Sequence, residues 1–168
     1  AAIRDLSELG LSASLLSGDS MEAVTPVALK LGTFAQANAS PADKVETIKR
    51  LSEQGHKVLM VGDGLNDGPA LAAAHVSIAP GSASDVGQQA ADAVFTSDSL
   101  MPVALSVKVA RRTMQTVKQN FGLAIGYNVL AVPLALSGMV TPLIAAIAMS
   151  TSSLIVVGNA LRLYGAAK

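Results

Sequence analysis

The chain has no cysteine and, over a long stretch, no charge. Without cysteine, neither a disulfide nor a thiolate metal ligand can be built from these 168 residues. Aromatic residues are scarce, at 3%, and charged ones make up only 14%, while 51% are hydrophobic. That is too apolar for one uniform soluble domain. The shortage of charge is uneven. All 12 acidic residues lie between Asp5 and Asp98, and no Asp, Glu, Lys, Arg or His occurs from Gln119 to Leu161. The formal net charge of zero therefore conceals a charged, water-compatible part followed by an apolar one. No basic surplus of the kind that binds nucleic acid is present, and nucleic acid is not expected as a partner. No signal peptide opens the sequence. Ala1 to Gly10 reads instead as a short amphipathic helix with Ile3, Leu6 and Leu9 on one face. With no initiator Met before it, the expectation is a fragment of a longer chain.

Two apolar stretches, Phe121–Gly138 and Pro142–Leu161, flank the turn-like segment Ser137-Gly-Met-Val-Thr-Pro142. Each has about the 18 to 20 residues that a helix needs to cross a bilayer core. Arg111, Arg112 and Lys118 precede the first, Arg162 and Lys168 follow the second, and the connecting loop is uncharged. The positive-inside rule then places both ends of the hairpin in the cytoplasm. Polar residues inside such spans need a reason. The first span holds Tyr127 and Asn128, with Pro133 removing a backbone donor; the second holds Met149-Ser-Thr-Ser-Ser153 and Asn159. Met149 and Ser153, four apart, share a helix face. A thioether suits Cu(I), and hydroxyl or amide oxygens can complete a weak site; equally, Ser, Thr and Met serve helix packing. These residues alone leave both readings open.

Before the tail, strand-like and helix-like runs alternate. Strands are predicted at Leu11–Leu16, His56–Val61, Val76–Ala79 and Ala93–Thr96, with only a short segment assigned near Phe34. Helices are predicted at Ser20–Leu31, from Ser40 as N-cap with Pro41 at the first position to Gln54, at Asn66–Ala74 and at Ser82–Ala90. Such alternation predicts an α/β fold, a parallel sheet with helices on both faces. Ligands of these sheets sit beyond the carboxyl ends of the strands. Ser17-Gly18-Asp19 and Gly62-Asp63-Gly64 both fall there, so they are expected to share one site. A helical pattern from Ser99 to about Asn120 leads into the first span without a Gly/Pro linker. The predicted organisation is therefore 1–98, a connecting helix 99–120, and a hairpin with a short tail 121–168.

The strongest chemical signal is Met60-Val-Gly62-Asp63-Gly64-Leu-Asn66-Asp67-Gly-Pro69-Ala-Leu71. A strand delivers Asp63 to a loop whose glycines, Gly62 and Gly64, let the backbone approach a ligand. Asn66 and Asp67 open the next helix, whose amides favour an anion. A carboxylate beside a phosphate site is a ligand of the type Mg²⁺ takes alongside substrate oxygens.

This run resembles the hinge motif of P-type ATPases, whose phosphorylation domain has the haloacid-dehalogenase fold. Ser17-Gly18-Asp19 resembles their Thr-Gly-Asp motif, and Pro41 with Lys44 resembles their Pro-x-x-Lys segment. The resemblance implies Asp63 as the Mg²⁺ ligand, Lys44 and Asn66 steadying the phosphoryl group, Ser17 and Gly18 donating to its oxygens, and Asp67 fixing the hinge. Tyr127-Asn128 and Met149-x-x-Ser152-Ser153 are similar to the membrane signatures of Cu(I)-transporting members. The zinc and cadmium group would place a Lys and an Asp there, and neither is present. The run from Tyr127 to Leu163 is similar to bacterial copper exporters serving haem–copper oxidase assembly. Gly68 stands where the family usually has Ala.

The resemblance implies a multi-pass inner-membrane pump using Mg²⁺ and ATP to move Cu⁺, with the lipid bilayer, the missing N-terminal portion and a copper chaperone as partners. The family's nucleophile segment Asp-Lys-Thr-Gly-Thr is absent from this sequence, as are its nucleotide-binding domain, its Thr-Gly-Glu loop and its Cys-Pro-Cys. The chain alone is therefore expected not to hydrolyse ATP. Three rival readings remain: a membrane-tethered phosphatase of the same fold, a non-catalytic membrane regulator, and a pump for another cation.

Overall fold

The computed structural model describes residues 1–64 and 66–165. Leu65 of the loop motif and Lys168 of the basic flank lie outside the described residues. The chain divides into two compact units, residues 1–104 and 105–168.

In the first unit the order is α1 (Ala2–Glu8), β1 (Ser14–Leu16), α2 (Met21–Leu31), β2 (Phe34–Gln36), α3 (Pro41–Glu53), β3 (Leu59–Val61), α4 (Gly68–Ala73), β4 (Val76–Pro80), α5 (Asp85–Ala90) and β5 (Ala93–Phe95). All the ladders are parallel. Instead of the one sheet expected, there are two: β1 pairs with β2, and β3, β4 and β5 form a second in that order. The strands are also shorter than the apolar runs. Ahead of β3, Val58 donates its N–H to His75 Nδ1 and accepts at its carbonyl from His75 and Val76, so it is held outside the β3–β4 ladder. Phe34–Gln36, which the sequence leaves unassigned, is a strand because its edge pairs with β1; three residues carry too little periodicity to announce it.

The helices follow their caps. Ser40 Oγ accepts from Asp43 N at 3.2 Å while Asp43 Oδ2 accepts from Ser40 N at 2.8 Å, a reciprocal capping box behind Pro41. Gly32, at φ 64°, ends α2 in the left-handed conformation that glycine adopts without a Cβ penalty. Two helices begin later than predicted. Ser84 caps α5, accepting from Gly87 N at 3.2 Å, and α4 starts only at Gly68, leaving Asn66 and Asp67 in the loop before it. Ile48 from α3, Leu71 from α4 and Val103 are almost wholly buried, each contributing on the order of 2 kcal/mol of transfer free energy.

The second unit holds most of α6 (Met101–Leu136), then α7 (Pro142–Leu161) and a closing 3₁₀ turn (Arg162–Gly165). α6 is unbroken through the predicted connecting segment and the first apolar stretch. Its root lies in the first unit, where Val103 and Ala104 are buried. Both helices are long and apolar enough to cross a membrane. Between them Gly138 takes φ 74°, and Thr141 caps α7 by accepting from Ile144 N at 3.3 Å.

Candidate active site

A cavity of about 1070 Å³ opens in the first unit where β1 and β3 end. Ser17, Gly18 and Asp19 border it after β1, Lys44 reaches it from α3, and Gly62, Asp63, Asn66 and Asp67 border it after β3. The two separate sheets thus present their motifs to one space, as the strand-end rule anticipates.

Lys44 is fixed by helix geometry and by charge. It sits in the second turn of α3 with only 8% of its surface exposed, and its Nζ lies 2.5 Å from Asp67 Oδ1. An ammonium buried to this degree needs a partner, because leaving it unpaired in a poorly solvated site is costly. The carboxylate in turn needs Gly62: a Cβ there would lie 2.8 Å from Asp67 Oδ2. The glycine before Asp63 therefore serves Asp67.

Gly64 serves a different neighbour. With φ 99°, it packs so closely on α5 that a Cβ would fall 2.0 Å from Gly87 Cα, and it is not among the residues lining the cavity. The role expected for it, backbone approach to a ligand, is in fact backbone approach to α5. Ser84 N donates to the carbonyl of Asp63 at 3.1 Å and Gly68 N to that of Gly64 at 3.2 Å. The backbone of Asp63 and Gly64 is thereby pinned at the starts of two helices. Its side chain is exposed and has no hydrogen-bond partner among the described residues. A carboxylate on a fixed backbone with its oxygens unused is available to a cation.

The Ser17 loop is pre-arranged by its own side chains. Ser17 Oγ donates to Asp19 Oδ2 at 2.9 Å and accepts from Asp19 N at 3.2 Å. The hydroxyl proton expected to point at a phosphoryl oxygen is engaged here, so Ser17 must rotate to donate. Asn38, in the left-handed region at φ 52°, donates its N–H to Asp19 O at 2.8 Å and also lines the cavity.

Sequence reading overlooked the opposite wall, formed by Ser82 and by Ser97, Asp98 and Ser99 after β5. The strand-end rule that flagged β1 and β3 also applies to β4 and β5, and it would have found them. Counting Asp98, four carboxylates (Asp19, Asp63, Asp67 and Asp98) border the cavity against one ammonium, Lys44. Such a surplus favours a cation. Among the described residues no three carboxylate or imidazole groups converge into a complete metal site. The donor set suits a metal that completes its shell with water and substrate oxygens, as Mg²⁺ does. Because α4 has only six residues, attraction for an anion rests on Lys44 more than on that helix's amides.

In the second unit, Asn159 Nδ2 donates to Asn120 Oδ1 at 2.9 Å and to Gln119 Oε1 at 3.3 Å, joining α7 to α6. Tyr127 is half-buried beside this junction, whereas Asn128, Met149 and Ser153 are exposed and Ser152 is intermediate. Ser153 Oγ donates to Met149 O at 3.1 Å, the usual way a hydroxyl is satisfied within an apolar helix. Its lone pairs remain usable.

Comparison with known proteins gives the following. A family model described as haloacid dehalogenase-like hydrolase matches residues 1–75. The nitrogen fixation protein FixI of Rhizobium leguminosarum bv. viciae is 56% identical over 168 residues, covering 99% of this chain and 22% of that protein. The copper-exporting P-type ATPase of Mycobacterium tuberculosis (strain ATCC 25618 / H37Rv) is 45% identical over 163 residues, covering 96% and 21%. The crystal structure of a zinc-transporting PIB-type ATPase in the E2.Pi state matches with a TM-score of 0.90 and 36% identity, over 96% of this chain and 27% of that one. The chain thus spans about a fifth of the length of the curated relatives it matches.

Proposed function

We propose that this chain, similar along nearly all of its length to heavy-metal P-type ATPases, is part of an ATP-driven cation pump working through an aspartyl-phosphate, with Cu(I) as its cargo. The observation that carries this reading is the cavity where β1 and β3 end, with Lys44 and Asp67 paired beside Asp63, whose carboxylate has no partner among the described residues.

In this reading Asp63 would hold Mg²⁺, which supplies charge neutralisation to the phosphoryl group when bound. Lys44 and Asn66 steady the same group, and the Ser17–Gly18 loop donates to its oxygens after Ser17 turns from Asp19. Asp67 holds Lys44 in place. Phosphoryl transfer is mostly positioning and charge compensation, which is what these residues offer. The nucleophile is the missing part. Among the described residues no hydrogen-bonded ladder joins β1–β2 to β3–β4–β5, which supports a further strand, carrying the acceptor aspartate and supplied from elsewhere in the protein, between them. The chain by itself then forms no phosphoenzyme.

Copper is supported by the soft thioether of Met149, by hydroxyl and amide oxygens at Tyr127, Asn128, Ser152 and Ser153, and by the lack of any charged side chain from Gln119 to Leu161. The 99–120 segment connects the phosphoryl site to these residues, and both ends of the hairpin lie in the cytoplasm.

The test uses the full-length protein in membranes. Asp63→Asn is expected to abolish the acid-stable phosphoenzyme. Met149→Leu is expected to leave phosphorylation from inorganic phosphate intact while lowering Cu(I)-stimulated ATP hydrolysis. Stimulation by Zn²⁺ in place of Cu(I) would overturn the cargo and leave the aspartyl-phosphate reading standing. Phosphoenzyme persisting in Asp63→Asn would overturn the role given to Asp63, and its absence from the unsubstituted protein would overturn the aspartyl-phosphate reading.

A further inference from the structure

The loop between β4 and α5, residues 81–84, is held by a side chain that does not itself border the phosphoryl cavity. Gln88 of α5 turns its carboxamide back over the start of its own helix. There Nε2 donates to the carbonyl of Gly81 at 3.1 Å and to that of Ala83 at 3.0 Å. One amide nitrogen thus grips the loop on either side of Ser82. We propose that Gln88 is a positioning residue for Asp63: by fixing this loop it fixes the backbone from which the Asp63 carboxylate meets Mg²⁺. The inference rests on the reading of Asp63 as the Mg²⁺ ligand, and on no particular cargo.

The connection runs through Ser84. Its N–H donates to the carbonyl of Asp63 at 3.1 Å, so a shift of the loop is a shift of the donor that holds Asp63. Ser84 also caps α5, and its carbonyl accepts from Gln88 N at 2.9 Å. Gln88 therefore holds Ser84 by its backbone and the residue before Ser84 by its side chain. At the other end of the loop, Gly81 N donates to the carbonyl of Phe95 in β5 at 2.7 Å. The start of α5 lies directly against the Asp63 peptide, since a Cβ on Gly87 would stand 2.7 Å from Asp63 O. All of these bonds are made within residues 63–95, and none depends on a surface that the rest of the protein would cover.

The chemistry of the side chain matters here. Both of its partners are carbonyls, so the NH₂ end of the amide must face them, and a side chain of the same size without donors would set oxygen against oxygen. The Asp63 carboxylate makes no hydrogen bond among the described residues, so its placement depends on the backbone behind it. A metal ligand has to be placed to within about 0.5 Å. Loss of a support behind such a ligand typically costs about 10- to 100-fold in metal affinity.

The experiment measures binding of Mn²⁺, standing in for Mg²⁺, to the full-length protein without ATP by electron paramagnetic resonance. Hydrogen exchange of the peptide that carries the Ser84 amide is followed alongside. Gln88→Leu and Gln88→Glu are each expected to weaken about tenfold the Mn²⁺ site that Asp63→Asn removes, and to speed exchange of the Ser84 amide. Gln88→Arg, whose guanidinium can donate to both carbonyls, should restore most of both. An effect of charge alone would run in the opposite order, with Glu tightening a cation site and Arg weakening it; that order would overturn the proposal. So would unchanged affinity in Gln88→Leu, or affinity lost while the Ser84 amide exchanges as before. Mn²⁺ binding that survives Asp63→Asn would instead overturn the reading of Asp63 on which the proposal rests.

Discussion

A methyl group added at Gly62 would stand 2.8 Å from Asp67 Oδ2, too close for the carboxylate to stay beside Lys44. Gly62→Ala is therefore expected to act through a residue five positions away, loosening Lys44 and lowering phosphoenzyme formation in the full-length protein while Asp63 remains intact. The pair itself can be dissected. Removing one member of a buried ion pair costs about 3 kcal/mol, because the other charge is left stranded; with 10% and 14% of the two side chains still exposed, about 2 kcal/mol is a better expectation. Lys44→Met and Asp67→Leu should each lower the thermal midpoint, and the double substitution should lower it by less than the two singles together. Thermal unfolding of the four proteins measures this. Strict additivity would mean that the pair contributes no coupling.

At the scale of elements, α3 offers a test with a definite sign. Asp43, half-buried, has its carboxyl held below the ordinary value of 3.8, first by the side-chain hydrogen bond from Ser40 and then by the backbone one. A carboxyl depressed in the folded state stabilises above its unfolded value, and that contribution is lost as pH falls through the lowered folded one. Asp43→Asn should therefore cost stability at neutral pH and little at the acid end, while Ser40→Ala should cost about 1 kcal/mol as a lost cap. Unfolding midpoints measured across that pH range check both.

The same helix shows why parts of the fold could be read from sequence. Ser40-Pro41-Ala-Asp43 is a local signal, made and satisfied within four residues, and α3 begins where it says. Phe121–Gly138 and Pro142–Leu161 were readable for the same reason, since about 18 to 20 apolar residues announce a span whatever lies beside them. The short strands are different. Phe34–Gln36 is a strand only through its pairing with β1. Gly64 has its role only because Gly87 lies against it, and no local spacing links positions 23 residues apart. At the site, the motif-bearing ends of β1 and β3 were legible as chemistry. The wall of Ser97, Asp98 and Ser99 was legible only through topology, which the chemistry-first reading did not apply to β5.

For the whole molecule, the proposed pump requires that its phosphoryl site and its metal path influence each other. α6 is the covalent connection: Val103 and Ala104 near its start are buried in the site-bearing unit, and the same unbroken helix continues through the apolar stretch to Leu136. A continuous helix transmits rotation and displacement along its axis only while its hydrogen-bond ladder is intact, and two glycines in mid-helix weaken that ladder by about 1 kcal/mol each. Thr113→Gly with Met114→Gly, both exposed and remote from either site in sequence, should therefore uncouple the two functions without removing either. Phosphorylation of the full-length protein by inorganic phosphate is expected to persist, since the residues around Asp63 are untouched. Cu(I) binding, measured by equilibrium dialysis, should also persist. What should disappear is the dependence of one on the other, seen as loss of Cu(I)-stimulated ATP hydrolysis. If stimulation survives the double substitution at full strength, coupling does not run through α6, and loops outside this chain must carry it.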